Sequence, residues 1–245
     1  MVPHRIPPII AAMSRTLLIL LTLMVPIIGR AQEKQPERTF RILFLNPPPD
    51  APKKLFLFDG VSSQEIGLSG MEFSDVHQVA GGATELHVLT SPVSKPEEVP
   101  DGAPSARIAP SVADFYLVAT GDGSNKVAPV RIQLIDAGSD KFRKGQMMWY
   151  NLTGTPVGGK LGSRKLALRS QSRMIVDAPA NGNEPYEVNL TYTLPDDPRF
   201  YPICQTQWVH DPRSRMLVFV SGGANNTAPR ISGFKDFREM AKESE

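Results

Sequence analysis

Short apolar segments, most of them alternating with polar residues, recur along this 245-residue chain and are separated by Gly, Pro, Asn or Asp. Alternation places successive side chains on opposite faces of a strand, and turn residues every eight to twelve positions are typical of β-sandwiches. The clearest case is Glu187 to Leu194, where every second residue from Val188 onward is apolar. This pattern predicts an all-β fold.

Ten further segments have the β-branched and aromatic composition of strands. They are Phe40–Asn46, Lys54–Asp59, Glu85–Thr90, Phe115–Thr120, Val130–Asp136, Met147–Leu152, Arg164–Arg169, Met174–Asp177, Gln205–His210 and Met216–Ser221. Two Pro-rich stretches, 92–110 and 195–202, are predicted to be surface loops, because proline cannot donate a hydrogen bond to a sheet. Helix-forming composition is confined to a polar tail at 236–245.

An internal repeat supplies a second copy of the pattern. Leu117–Pro129 matches Leu217–Pro229 at an offset of 100 residues, with six of thirteen positions identical. Two shorter matches lie in the same order along the chain: Ser63–Leu68 with Ser163–Leu168, and Phe44–Asn46 with Trp149–Asn151. Three collinear matches favour duplication.

Duplication predicts two antiparallel β-sandwich units of immunoglobulin-like size, at 39–135 and 136–235. Whether they form two separate sandwiches or one fused sandwich is open at this level.

The first 31 residues have the character of an export signal. They contain three Arg and no acid, an apolar run from Leu17 to Ile28, and small residues at Gly29 and Ala31 that suit a signal peptidase. We predict cleavage after Ala31. The apolar run is shorter than the roughly 20 residues of a membrane span, although an uncleaved N-terminal anchor stays an alternative.

Removing the three signal arginines changes the charge balance of the chain. The 27 basic residues become 24, against 25 acidic ones. The remaining lysines and arginines, among them Lys160, Arg164 and Lys165, are dispersed and are interpreted as a solvated face. We therefore expect no nucleic-acid partner and no membrane span in the mature protein.

The single cysteine, Cys204, is interpreted as a small buried residue of an exported protein without disulfides. With His210 and Met216 it resembles the ligand order of cupredoxins, in which His77 or His87 would supply the second imidazole. A copper-binding, electron-transfer domain is the alternative function that this resemblance implies. The main expectation is no metal and no other cofactor.

Aromatic residues offer a second set of candidates. The side chains that would stack on sugar rings if exposed are Trp149, Tyr150, Trp208, Phe200 and Tyr201. Aromatic residues on strands are, however, more often core. No Gly-x-Ser-x-Gly sequence or paired-acid motif indicates catalysis, and a secreted hydrolase ranks third. Three glycosylation sequons begin at Asn151, Asn189 and Asn225.

With its signal, its two-copy layout and the segments Trp149-Tyr-Asn-Leu-Thr-Gly154 and Leu217-Val-Phe-Val220, the chain resembles uncharacterised exported two-unit β-sandwich proteins of Gram-negative, verrucomicrobial-type bacteria. The resemblance implies no catalytic residues. We expect a non-catalytic binding or scaffold protein of the periplasm, cell surface or exterior, with an envelope protein or a glycan as its partner.

Overall fold

Sixteen β-strands form four four-stranded sheets in the part of the chain that the computed structural model describes, residues 38–194, 196–222 and 228–237. The predicted signal, the sequon at Asn225 and the end of the polar tail lie outside those residues. Within the described residues, the only helical turn is a 3₁₀ turn at Pro96–Glu98. None of the described helices has the length and hydropathy of a membrane span.

The first eight strands make two sheets. They are β1 Arg38–Phe44, β2 Lys54–Phe58, β3 Ser63–Gly67, β4 His77–Val79, β5 Glu85–Leu89, β6 Ser105–Arg107, β7 Asp114–Gly121 and β8 Val130–Asp136. The order β4-β1-β7-β8 forms a sheet that we call inner sheet 1, and β3-β2-β5-β6 forms outer sheet 1.

The second eight strands repeat this arrangement. They are β9 Met147–Asn151, β10 Val157–Leu161, β11 Arg164–Leu168, β12 Ser172–Val176, β13 Pro185–Leu194, β14 Asp197–Val209, β15 Arg215–Ser221 and β16 Arg230–Asp236. The order β12-β9-β15-β16 forms inner sheet 2, and β11-β10-β13-β14 forms outer sheet 2. The connectivity of the two halves is therefore the same, strand for strand.

The predicted all-β fold with two sandwich units is confirmed, and every predicted strand segment overlaps an observed strand. The pairing is antiparallel except for β1 with β7 and β9 with β15, which run parallel. Parallel neighbours need a long crossover, and the excursion through the outer sheet supplies it in each half. The immunoglobulin-like assignment stays a prediction.

Three hydrophobic cores hold the four sheets together. One lies between outer and inner sheet 1, around Phe40, Leu57 and Leu117, and another between inner and outer sheet 2, around Trp149 and Leu190. The third contains residues of both inner sheets. It is built from Leu43, Leu45, Phe73, Tyr116, Val118, Ile135, Ala137, Phe142, Met148, Tyr150, Leu217, Phe219 and Phe234. The two units thus share a core through their inner sheets.

The repeat matches equivalent strands but not equivalent faces. Leu117 on β7 packs into the core of the first unit, whereas its sequence partner Leu217 on β15 packs into the shared core. Val218 takes the corresponding inward position. Because side chains alternate along a strand, a shift of one residue exchanges the two faces.

A buried ionic network crosses the shared core. Asp236, the last residue of β16, is 1% exposed and binds Arg41 of β1 at 2.6 Å and Arg215 of β15 at 2.9 Å. The Tyr116 hydroxyl donates to the same carboxylate at 2.5 Å, and burial raises the pKa of Tyr116. Asp236 therefore belongs to the folded unit, although the composition of 236–245 predicts a solvated tail.

The predicted loop at 195–202 is wrong over most of its length, because β14 begins at Asp197. β14 is an edge strand of outer sheet 2, and an edge tolerates proline because one side of the strand needs no partner. A register shift falls between Leu190 and Thr191, opposite Cys204 and Pro202. The proline thus lies where the ladder is already interrupted.

Candidate functional site

The structure separates the three residues of the copper hypothesis. Cys204 lies within β14 opposite Leu190. His210 is six residues further along the chain, directly after the end of that strand. At a rise of about 3.3 Å per residue, they are about 20 Å apart, which is too far for ligands to one ion. His210 and Met216 border the same small cavity, but Cys204 does not.

The other histidines belong to the first unit. His77 is on β4 and stacks on Phe40, and His87 is on β5. Both histidines lie in sheets of the first unit, whereas Cys204 lies in outer sheet 2. Among the described residues no group of three or more His, Cys, Asp or Glu side chains is arranged to hold a metal. Burial raises the pKa of the Cys204 thiol, which disfavours the thiolate that copper requires.

The tryptophan candidates lie in the core of the second unit. Trp149 is 0% exposed, so it offers no surface to a ligand. Trp208 stacks on it with ring centroids 6.0 Å apart and meets Tyr186 edge to face. Tyr201 is half-buried and packs against Tyr192. The two tryptophans therefore serve mainly to close the core.

A trough of about 870 Å³ lies on the solvent side of outer sheet 2. Cross-strand register explains its shape. Gly158 of β10 lies opposite Ala167 of β11 and Thr191 of β13, so the middle row of this face carries only small side chains. A sheet face without large side chains in one row is concave along that row.

Longer side chains border the trough on both sides. On one side Lys160 lies opposite both Lys165 and Asn189. On the other side are Arg169 and Phe200, and Phe200 is 76% exposed. Each border lies two residues along the strands from the middle row of small side chains, which corresponds to about 7 Å. The two borders are therefore about 14 Å apart.

The two adjacent glycines of β10 have different constraints. Gly159 has φ +146°, and a Cβ there would lie 2.0 Å from the Asn189 carbonyl oxygen, so glycine is required. A Cβ on Gly158 would lie 3.5 Å from the Leu166 carbonyl oxygen, which is an ordinary contact. The backbone therefore does not demand glycine at 158, and its effect there is to leave the trough open.

The trough is bordered by positive charge. Lys160, Arg164, Lys165 and Arg169 line it, and no Asp or Glu is among its described lining residues. Lysines directly opposite each other repel, yet within the described chain neither Lys160 nor Lys165 has a carboxylate within ion-pair distance. The only carboxylate on this face of β13 is Glu187, two residues beyond Asn189.

The equivalent face of the first unit has neither the row of small side chains nor the lysines without carboxylate partners. Phe56 of β2 points outward there, and Lys54 forms an ion pair with Glu65 at 3.0 Å. The unpaired lysines and the trough are thus features of the second unit.

A polar cluster holds the β13–β14 hairpin that presents Phe200. Arg199 binds Asp197 at 2.5 Å, and the Tyr201 hydroxyl donates to the same carboxylate at 2.6 Å. Arg199 and Tyr201 hold the pKa of Asp197 well below its usual range. Arg199 also lies over the Tyr201 ring. Alternation then leaves Phe200 on the opposite side of the strand, towards the trough.

Two smaller cavities are lined mainly by residues of the first unit. One, of about 610 Å³, is between the Pro-rich turn after β1 and the end of β7. The other, of about 470 Å³, is beside Asp59 and His87, whose Nδ1 is buried without a hydrogen-bond partner among the described residues. The Asp59 carboxylate accepts from the backbone N–H groups of Val61, Ser62 and Ala80, so it stabilises a turn.

No protein-family model matches this chain, and neither does any curated protein. Sequence reasoning missed the trough although it noted Lys160, Arg164, Lys165 and Phe200. The available signal was Gly158-Gly159 inside a strand, since glycine in a strand often marks a close backbone approach. That segment was not among the predicted strands.

Proposed function

We propose that this chain is an exported, non-catalytic binding or scaffold protein of the cell envelope, which docks a protein or glycan on the solvent face of outer sheet 2. The observation that carries the proposal is the trough over Gly158, Ala167 and Thr191. Concave surfaces with a few polar groups and an exposed aromatic ring are typical of binding sites.

Binding is favoured over hydrolysis by the chemistry of the trough. Glycoside hydrolysis uses two carboxyl groups facing the scissile bond. The described lining of the trough offers cations, hydroxyls and backbone instead. Those groups hold a ligand, but they do not form an acid and base pair.

Export is supported by residues 1–31, with their arginines, apolar run and small residues at the predicted cleavage site. Expression of the full chain in a Gram-negative host, followed by fractionation, tests this part. We expect a periplasmic protein whose mass corresponds to a chain beginning at Gln32. Recovery of uncleaved protein in the cytoplasm would contradict export.

The binding function is tested with the exported protein on a glycan array and in pull-downs from envelope extracts. We expect retention of a ligand without its turnover, and reduced retention when the trough is filled. Measurable hydrolysis of a retained glycan, or retention unaffected by changes in the trough, would overturn the proposal.

A further inference from the structure

We infer that the ligand of the trough is an anionic polysaccharide, a chain of sugar rings that carry carboxylate or sulfate groups. This inference rests on the proposed binding function and names the class of ligand. It follows from the charge of the borders, the small side chains of the floor and the exposed aromatic ring.

The charge of the borders selects an acidic ligand. Lys160, Lys165 and Arg169 are exposed, and their ammonium and guanidinium groups face a trough with no described carboxylate in its lining. Two lysines directly opposite each other repel, and an anion bound between them removes that cost. Complementary charge also increases the rate at which an anionic ligand associates.

The floor favours a chain that lies across the strands. Ala167, Gly158 and Thr191 form a row perpendicular to the strand direction. Next to this row, Thr193 contributes a hydroxyl and Asn189 an amide. These are hydrogen-bonding groups suited to the hydroxyls of sugars. They lie on β13, beside the positive charge that Lys160 and Lys165 place on β10 and β11.

The exposed ring of Phe200 distinguishes a sugar from a simple anion. It is 76% exposed and is held by the neighbouring Asp197–Arg199–Tyr201 cluster. A fixed aromatic ring at the surface provides apolar contact for the flat face of a sugar, which an inorganic anion lacks.

A peptide ligand fits the trough less well. Extended peptides are commonly bound by pairing with the free edge of a sheet. The central strands beneath the trough, β10 and β13, each pair with neighbours on both sides, so their backbone groups are already used. The ligand must be recognised by side chains, as a polysaccharide is.

The test compares polymers that differ in charge. Binding of the exported protein to alginate, a polyuronate, is measured by calorimetry beside dextran, a neutral polymer of similar length. We expect binding to alginate alone, weakening as salt is raised because the contacts are exposed ion pairs.

Variants then locate the binding. We expect K160Q/K165Q to weaken alginate binding by about tenfold, the scale of two lost exposed charge contacts. F200A should weaken it several-fold, and G158L should abolish it by filling the floor. The matched control K95Q/K126Q removes two exposed lysines of the first unit and should bind like the unaltered protein.

Each outcome decides between the alternatives. Equal binding of dextran and alginate, unaffected by K160Q/K165Q, overturns the anionic class and leaves the binding function standing. Equal weakening by K95Q/K126Q, or full competition by single-stranded DNA with F200A and G158L binding normally, shows nonspecific polyanion attraction and overturns the inference. Failure of every glycan and protein to bind overturns the proposed function as well. If G158L does not fold, the surface variants K160Q/K165Q and F200A still decide.

Discussion

The side chain of Asn151 is 1% exposed and makes four hydrogen bonds. Its amide donates to the carbonyls of Thr155 at 2.8 Å and Arg169 at 3.0 Å, and its oxygen accepts from the N–H and hydroxyl of Thr153 at 3.0 and 2.7 Å. In the folded protein this nitrogen is therefore inaccessible, so the sequon that begins at Asn151 is closed to glycosylation after folding. Asn189, on the exposed face of β13, is accessible.

We predict that Asn151→Ala lowers the free energy of unfolding by about 2–4 kcal/mol, because it leaves several buried polar groups without partners. The measurement is chemical denaturation. The control is Asn189→Ala, which removes an exposed asparagine of the same β-sandwich unit. It should change the free energy of unfolding by about 0.5 kcal/mol or less. If Asn151→Ala lost as little stability as Asn189→Ala, the four hydrogen bonds of Asn151 would not stabilise the fold.

We expect two histidines to make the stability of the fold depend on pH. Burial lowers the pKa of His210 and of His77 below the ordinary value of 6.5. Just below pH 6.5 the unfolded chain therefore binds protons more readily than the folded one, and the free energy of unfolding decreases as pH falls.

We predict that the denaturant concentration at the unfolding midpoint decreases as the pH is lowered from 7 to 5. In the H77Q/H210Q variant this decrease should be smaller. Denaturant titrations at several pH values provide the measurement. An unchanged slope in the double variant would assign the pH dependence to other groups.

At the scale of elements, the approach of β10 to β13 depends on one glycine. Gly159 has φ +146° and no room for a Cβ beside the Asn189 carbonyl oxygen. Its neighbour Gly158 has an ordinary clearance of 3.5 Å. The two positions allow a comparison within a single strand.

We predict that Gly159→Ala destabilises the protein by more than about 1 kcal/mol, because the strands must separate and the backbone is strained. Gly158→Ala should be neutral or stabilising by about 0.5 kcal/mol. Thermal or denaturant unfolding of both variants tests this. Similar stability of the two would mean that the close approach at Gly159 relaxes without cost.

For the whole molecule, we expect the two units to unfold together, because their inner sheets share a core. Arg41 and Tyr116 reach Asp236 from inner sheet 1, and Arg215 reaches it from inner sheet 2. Removing the carboxylate takes the ion-pair partner from the half-buried Arg41 and leaves the buried Arg215 only the more distant Asp114, at 3.4 Å. That is more costly than losing an exposed pair.

We predict that Asp236→Asn lowers the free energy of unfolding by about 3–5 kcal/mol, while one cooperative transition is retained. Glu65→Gln, which breaks the exposed pair with Lys54, should cost about 1 kcal/mol or less. Denaturation followed by tryptophan fluorescence and by circular dichroism checks both points. Two separate transitions in the unaltered protein would contradict joint unfolding of the units.

Several features of the fold were readable from local sequence. The alternation at Val188–Leu194 predicts β13. The repeat that aligns Leu117 with Leu217 pairs β7 with β15, which hold equivalent places in the two units. Other strands were missed, among them β10, because Gly158 and Gly159 weaken its strand composition. The shared core was not predicted either, since alternation does not show which sheet an outward face meets.

By itself the sequence determined that the chain is all-β and predicted its two units, because the period of a strand and the matches between two segments can be read along the chain. Tertiary structure decided the rest. The trough exists because strand register sets Gly158 beside Ala167 and Thr191, and Lys160 beside Lys165. The same long-range packing buries Trp149 and Asp236. Register and sheet stacking join residues distant in the chain, and no local pattern records those pairings.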